Sequence, residues 1–157
     1  MAKAEEKTNV MRLLEQAGIA YTAHYYDANE TQGTAVAALL GEDADAVFKT
    51  LVTEAPDRSH YVFVIPVAET LDLKKAARAA GVKSIVMIKQ KELLPLTGYI
   101  HGGCSPVGMK KPFPTYIDET AILFDRFFVS AGKVGAQVEL NAEALADYIG
   151  ATFAELV

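Results

Sequence analysis

The chain has 157 residues, 51% hydrophobic and 22% charged, with a net charge of -5; that length suits one substantial core, so a single domain over residues 1–157 is expected. The one cysteine, Cys104, excludes an internal disulfide framework and any multi-cysteine metal site, and the acidic balance argues against a broad basic face that coats DNA or other long nucleic acid. No apolar run approaches the length of a membrane span, and the opening MAKAEEKTNVMRLLEQAG lacks the apolar stretch of a signal peptide, so a cytoplasmic protein with no membrane role is expected.

Thr8 is placed to cap a helix whose apolar positions Val10, Leu13, Leu14 and Ala17 follow helical spacing, with Gly18 as its stop. Tyr21 to Tyr26 reads as a strand that puts Tyr25 and Tyr26 on opposite faces, one toward the core and one free to line a pocket. Thr34 to Leu40, stopped by Gly41, is a short helix. Val47 to Thr53 and Tyr61 to Ile65 flank the turn-like Ala55-Pro56-Asp57-Arg58-Ser59 and predict a hairpin, its second strand apolar on both faces and therefore central. Leu73 to Ala80, ended by Gly81, is a helix; Ser84 to Met87 is a strand; a short helix around Lys89 to Leu94 follows. Thr115 to Ile117, Phe127 to Val129 and Gln137 to Leu140 read as strands, and Asn141 caps a last helix through Tyr148. About seven short strands and five helices, often joined by hairpin-length connections, predict an α+β fold around a mixed, strongly curved sheet rather than a doubly wound one.

Between the helix at Lys89 and the strand at Thr115 lies GYIHGGCSPVGMKKPFPTYID, residues 98–118, too rich in glycine and proline for a regular element. Gly102 and Gly103 permit backbone conformations or close approaches that a Cβ forbids, and Pro106, Pro112 and Pro114 stiffen the backbone after them; the segment is either a shaped binding loop or a plain connection. Strand alternation puts Lys49 on the face of Val47 and Leu51, where a cation needs an anion or a hydrogen-bonding group to meet it, unless its stem lies on the core and its head reaches water. Ser130, Gly132 and Lys133 form a polar turn suited either to a phosphate or carboxylate or to closing a hairpin. His24, His60 and His101 have no metal-ligand spacing, so no metal and no cofactor are expected. Cys104 near His101 suggests a nucleophile and base but lacks an orienting group; a small loop-filling residue is the alternative.

Read together, HYYD after the first helix, VFKTLV, IPVAETLDLKKAARAAG, TGYIHGGCSPVG with KKPFPTYID, and VSAGKVGAQVEL resemble, in order and over nearly the whole length, the YbaK/EbsC-type Cys-tRNA(Pro) deacylases. These are free-standing relatives of the editing domain of bacterial prolyl-tRNA synthetases, and GGxSPxG is the most specific of the shared motifs. The resemblance implies a YbaK-like fold and a hydrolase that clears cysteine esterified to tRNA(Pro), acting at the acceptor end. It carries the functional lysine onto Lys49, the pocket tyrosine onto Tyr26 with His24 beside it, the glycine loop onto Gly102, Gly103, Ser105 and Pro106, and the serine-glycine turn onto Ser130 and Gly132. The family is thought to use the substrate thiol as nucleophile, which agrees with the absence of a convincing general base; the Gly102 and Gly103 amides are then the natural donors to the developing oxyanion. Some members carry an acid where this chain has Gln137, and an aliphatic residue where it has Cys104. Hydrolysis of another small aminoacyl ester such as Ala-tRNA(Pro), and binding of a tRNA end without catalysis, are the alternatives. Prolyl-tRNA synthetase is an expected partner for tRNA selectivity.

Overall fold

The computed structural model describes residues 7–27, 33–41 and 43–157. The first six residues, part of the opening stretch read for a signal peptide, lie outside the described residues. Helix α1 spans Asn9–Gln16, and the Thr8 hydroxyl caps it by accepting from Met11 N–H at 3.3 Å. Strand β1 is Tyr21–Tyr25, α2 Gly33–Leu40, β2 Phe48–Glu54 and β3 His60–Pro66. Helix α3 is Leu73–Ala80, capped by the Asp72 carboxylate and closed by Gly81 at φ 71°. Strand β4 is Val86–Met87, α4 Gln90–Thr97, β5 Thr115–Asp118, β6 Phe127–Ser130, β7 Ala136–Leu140, α5 Ala142–Ile149 and β8 Thr152–Ala154.

The α+β class stands, but among the described residues the strands number eight and divide between two sheets rather than forming one. A three-stranded antiparallel sheet runs β1-β7-β6, and a five-stranded mixed sheet runs β4-β2-β3-β5-β8. The hairpin of β2 and β3 forms as expected, with β3 central and paired in parallel with β5 on its other side. The two sheets meet where β2 begins: a single parallel bridge joins Val47 to Phe128, and the Phe48 and Phe127 rings pack edge to face at 5.1 Å. The strand missed in the sequence, β8, has only three residues and exists through its parallel pairing with β5. Helix α4 runs three residues beyond the expected Leu94 and contains Pro95, whose missing N–H forgoes a bond only to the carbonyl of the exposed Lys91.

The largest core lies under the three-stranded sheet, where Met11 and Leu14 of α1 and Leu145 of α5 meet Phe127, Val129, Val138 and Leu140. A second gathers Phe63 and Ile65 of β3 with Ala76 and Ala77 of α3 and the C-terminal Leu156. A third, smaller cluster of Val52, Val62 and Cys104 ties the glycine-rich loop to the hairpin. The buried Asp118 fastens the C-terminal segment, accepting from Leu156 N–H at 2.9 Å and from the Thr120 hydroxyl at 2.6 Å.

Candidate active site

A cavity of about 500 Å³ opens at the junction of the two sheets. Lys49 lines it, as do its neighbours from Val47 through Leu51 at the start of β2. The parallel bridge from Val47 to Phe128 sets the start of β2 beside β6, and Lys49 and Ser130, which follow the two bridged residues, both line the cavity. Ser130 pairs with Gln137, and Gln137 with His24. Ser130, Gln137 and His24 are thus successive positions of one row crossing the three-stranded sheet, and Ser130 and Gln137 line the cavity with Lys49. Tyr26 lines it too, its N–H tied to Gly135 O at 3.0 Å just past the end of β1, while Tyr25 turns the other way and its hydroxyl meets Met11 Sδ.

Lys49 is half-buried, and burial pushes its pKa below the ordinary lysine value, with the Glu69 carboxylate drawing it partly back. No carboxylate lies within ion-pair distance of it among the described residues, and none of the described lining residues is acidic. A desolvated cation in a cavity whose described lining holds no acid is arranged to receive an anionic or strongly polar ligand group. The Ser130 hydroxyl accepts from Gly132 N–H at 3.2 Å, which leaves its own proton to donate to a ligand.

The two glycines of the loop differ. Gly102 adopts φ 87°, lines the cavity, and its N–H meets no acceptor among the described residues. Gly103 does not line the cavity, and its N–H is already donated to Ile100 O at 3.0 Å, so the expectation of two loop amides for an oxyanion reduces to one. What Gly103 supplies is proximity: a Cβ there would stand 2.9 Å from Val134 N, so only glycine lets the loop press against the turn after Ser130.

Four further residues carried over as ligand contacts also lie off the cavity wall. Ser105 is fully buried and its hydroxyl accepts from Val107 N–H at 3.2 Å, and Pro106 is buried beside it; both shape the loop from behind. Gly132 sits at φ 97°, and Val10 and Tyr99 occupy the space where a Cβ would stand, so it closes the turn and is absent from the described cavity wall. His24 pairs with Glu139 at 2.9 Å and packs on Phe128 at the far end of the row. Cys104 and His101 both line the cavity, but burial pushes the Cys104 thiol up to about 12, which makes it a poor nucleophile and leaves the loop-filling reading.

The rest of the wall carried no local signal. Val36 of α2, Leu93 of α4 and the Val67-Ala68 turn bring apolar surface from three distant segments, and Gln137, noted only as a departure from the resembled family, lies on the wall at 6% exposure. Thr50 also lines it, with a buried hydroxyl that has no hydrogen-bond partner among the described residues. Those residues contain no cluster of His, Cys, Asp and Glu able to hold a metal, and no helix long and apolar enough to cross a membrane.

Comparison with known proteins identifies the family. The family described as aminoacyl-tRNA editing domain matches residues 29–148. An Enterococcus faecalis protein, EbsC, named as a Cys-tRNA(Pro)/Cys-tRNA(Cys) deacylase, is 45% identical over 98% of this chain and 95% of its own. A proline–tRNA ligase of Shouchella clausii is 31% identical over 61% of this chain, a stretch that covers 17% of the ligase. A crystal structure described as a trans-editing enzyme for prolyl-tRNA synthetase superposes with a TM-score of 0.83 at 26% identity, covering 96% of this chain and 98% of that one. The structure of the protein APE2540 shares the fold at a TM-score of 0.87 and 23% identity, over 95% of this chain and 99% of that one. With a family match over most of the chain and a full-length relative at this identity, the protein belongs to the aminoacyl-tRNA editing domain family.

Proposed function

We propose that this protein is an aminoacyl-tRNA deacylase that clears cysteine from Cys-tRNA(Pro), taking the aminoacylated 3′ terminus into the cavity beside Lys49. The observation that carries the reading is the desolvated Lys49 ammonium, without an acidic neighbour on the described wall, lining with Ser130 and Gly102 a cavity of about 500 Å³. A terminal phosphate or a developing oxyanion supplies the charge that Lys49 lacks.

The described lining of the cavity offers no activated thiol, since burial raises the pKa of Cys104. The chemistry then comes from the substrate. The cysteinyl sulfur attacks its own ester carbonyl, the new carbon–sulfur bond closes a thiolactone, the carbon–oxygen bond to the ribose breaks, and the thiol proton ends on the released 3′-oxygen. Water opens the thiolactone afterwards. Well-oriented intramolecular attack carries effective molarities of about 10⁵ M or more, so the protein's work is to hold the ester in the attacking geometry and to stabilise charge on the carbonyl oxygen. The Gly102 N–H and the Ser130 hydroxyl are the donors for that oxygen, and Lys49 holds the terminus. Apolar groups from Val36, Leu51 and Leu93 favour a small, weakly polar side chain. Prolyl-tRNA synthetase as a partner in tRNA selection fits the kinship with its editing domain.

The test is release of amino acid from Cys-tRNA(Pro), Ala-tRNA(Pro), Ser-tRNA(Pro) and Cys-tRNA(Cys) by the parent and by Lys49→Ala. Rapid release of cysteine, lost in the variant, with seryl ester nearly untouched, supports the reading. Equal release of serine would overturn the thiol mechanism, faster release of alanine the cysteine assignment, and no turnover of any ester would leave a module that binds tRNA ends.

A further inference from the structure

The charge of the chain is unevenly placed. Between Lys83 and Ile117 there are five lysines and one carboxylate, a local balance of +4 in a chain of -5, so the remaining residues carry -9. The single acid, Glu92, accepts from the Lys89 backbone N–H at 3.0 Å, and none of the five lysines forms an ion pair among the described residues. Four of them stand in two exposed pairs at opposite ends of α4. Lys89 and Lys91 are at its start; Lys110 and Lys111 are brought to its end by the bond from Lys110 N–H to Thr97 O at 2.9 Å. An eight-residue helix separates the pairs by about 12 Å. Between them, Leu93 turns into the cavity wall and the exposed His101 follows at its rim.

Resting on the deacylase reading above, we infer that this band of lysines along α4 is a docking surface for the phosphodiester backbone of an RNA duplex whose aminoacylated end enters the cavity. Free cations beside a cavity rim, in a molecule otherwise strongly acidic, attract a polyanion at one place and repel it elsewhere, which orients it. The overall net charge conceals this because the surplus of acids lies outside the segment. Two exposed aliphatic side chains, Leu94 and Ile100, stand in the same region and would serve a protein partner instead, so the test separates the two.

A fluorescent acceptor-stem hairpin without amino acid is titrated with the parent, with Lys89→Glu/Lys91→Glu and with Lys110→Glu/Lys111→Glu, from about 50 to about 200 mM KCl. Parent affinity falls steeply with salt. Each double variant binds about tenfold more weakly at the low end, and the slope of log affinity against log salt flattens by about 2 for each pair lost. Circular dichroism reports that the variants fold. Salt-independent binding by the parent, or variants that bind like it, would overturn the proposal. Variants that keep RNA affinity but lose editing only when prolyl-tRNA synthetase is present would reassign the surface to a protein. Because the hairpin carries no ester, the result stands apart from catalysis: a parent that binds it but hydrolyses neither Cys-tRNA(Pro) nor cysteinyl-adenosine defeats the deacylase reading and not this one. In the opposite case, cysteinyl-adenosine is hydrolysed equally by parent and variants while the hairpin affinities do not differ.

Discussion

Gly103 and Val134 touch through their backbones: the space where a Cβ of residue 103 would lie is 2.9 Å from Val134 N and 3.0 Å from Lys133 Cα. This contact sets the distance between the loop that bears Gly102 and the turn that bears Ser130, two of the three groups assigned to the ester. Adding one methyl group by Gly103→Ala forces main chain against main chain, which flexible side chains cannot relieve. The expected cost is about 1–3 kcal/mol of stability with a fall of about tenfold or more in deacylation, read by thermal melts and single-turnover ester release. Parent-like activity would show that the spacing of the two loops does not matter to the reaction.

Lys49→Ala is expected to lower deacylation by about 10²–10³-fold with little loss of stability, since it removes a half-buried cation that has no ion-pair partner among the described residues. Lys49→Arg retains charge and recovers part of the rate. The pH dependence has a defined sign. Burial lowers the Lys49 pKa, so in the free protein the cation is lost at a lower pH than an ordinary lysine, whose value is 10.5. The alkaline limb of kcat/KM therefore falls below that value, and it moves upward in kcat because a bound anion restores the charged form. Lys49→Arg abolishes the limb.

Cys104→Ala should leave deacylation within about threefold of the parent while lowering stability by about 1 kcal/mol, because the thiol fills space among Val52, Val62 and Leu93. Its pKa, raised to about 12, also predicts slow alkylation of the folded protein at neutral pH. Loss of all activity in Cys104→Ala, with rapid modification in the parent, would instead identify a protein nucleophile.

Asp118→Ala tests the architecture apart from the site. Its carboxylate accepts from Leu156 N–H, Thr120 N–H and the Thr120 hydroxyl in a fully buried position, so its removal leaves buried donors unmet. Destabilisation of about 2–4 kcal/mol is expected, visible in denaturant titration, with the rate per folded molecule unchanged below the unfolding transition.

Most of the secondary structure was legible because it depends on local spacing: helix α3 falls on the expected Leu73 to Ala80 because Asp72 and Gly81 bracket an apolar period, and the hairpin of β2 and β3 follows from two apolar runs around one turn. Lys49 was legible as a cation set within the apolar strand run VFKTLV, and it lines the cavity. Strand β8 was not, because three residues have no period and its order comes from β5. Nor does the sequence reveal that the strands part into two sheets at Val47, since that break depends on which distant strand β2 meets.

Within the site, the chain by itself determined that Gly102 and Gly103 form a shaped loop and that Lys49 stands on an apolar face. Only the tertiary structure decided which glycine offers a free N–H and which offers only closeness, because that depends on Ile100 and on the turn at Val134. It likewise brought the paired Ser130 and Gln137 to the same cavity as Lys49, turned Ser105 and Pro106 behind the wall, and enclosed the cavity with Val36 and Leu93. Local conformation follows from neighbours in sequence, whereas a cavity is made of the space that separate segments leave unfilled between them.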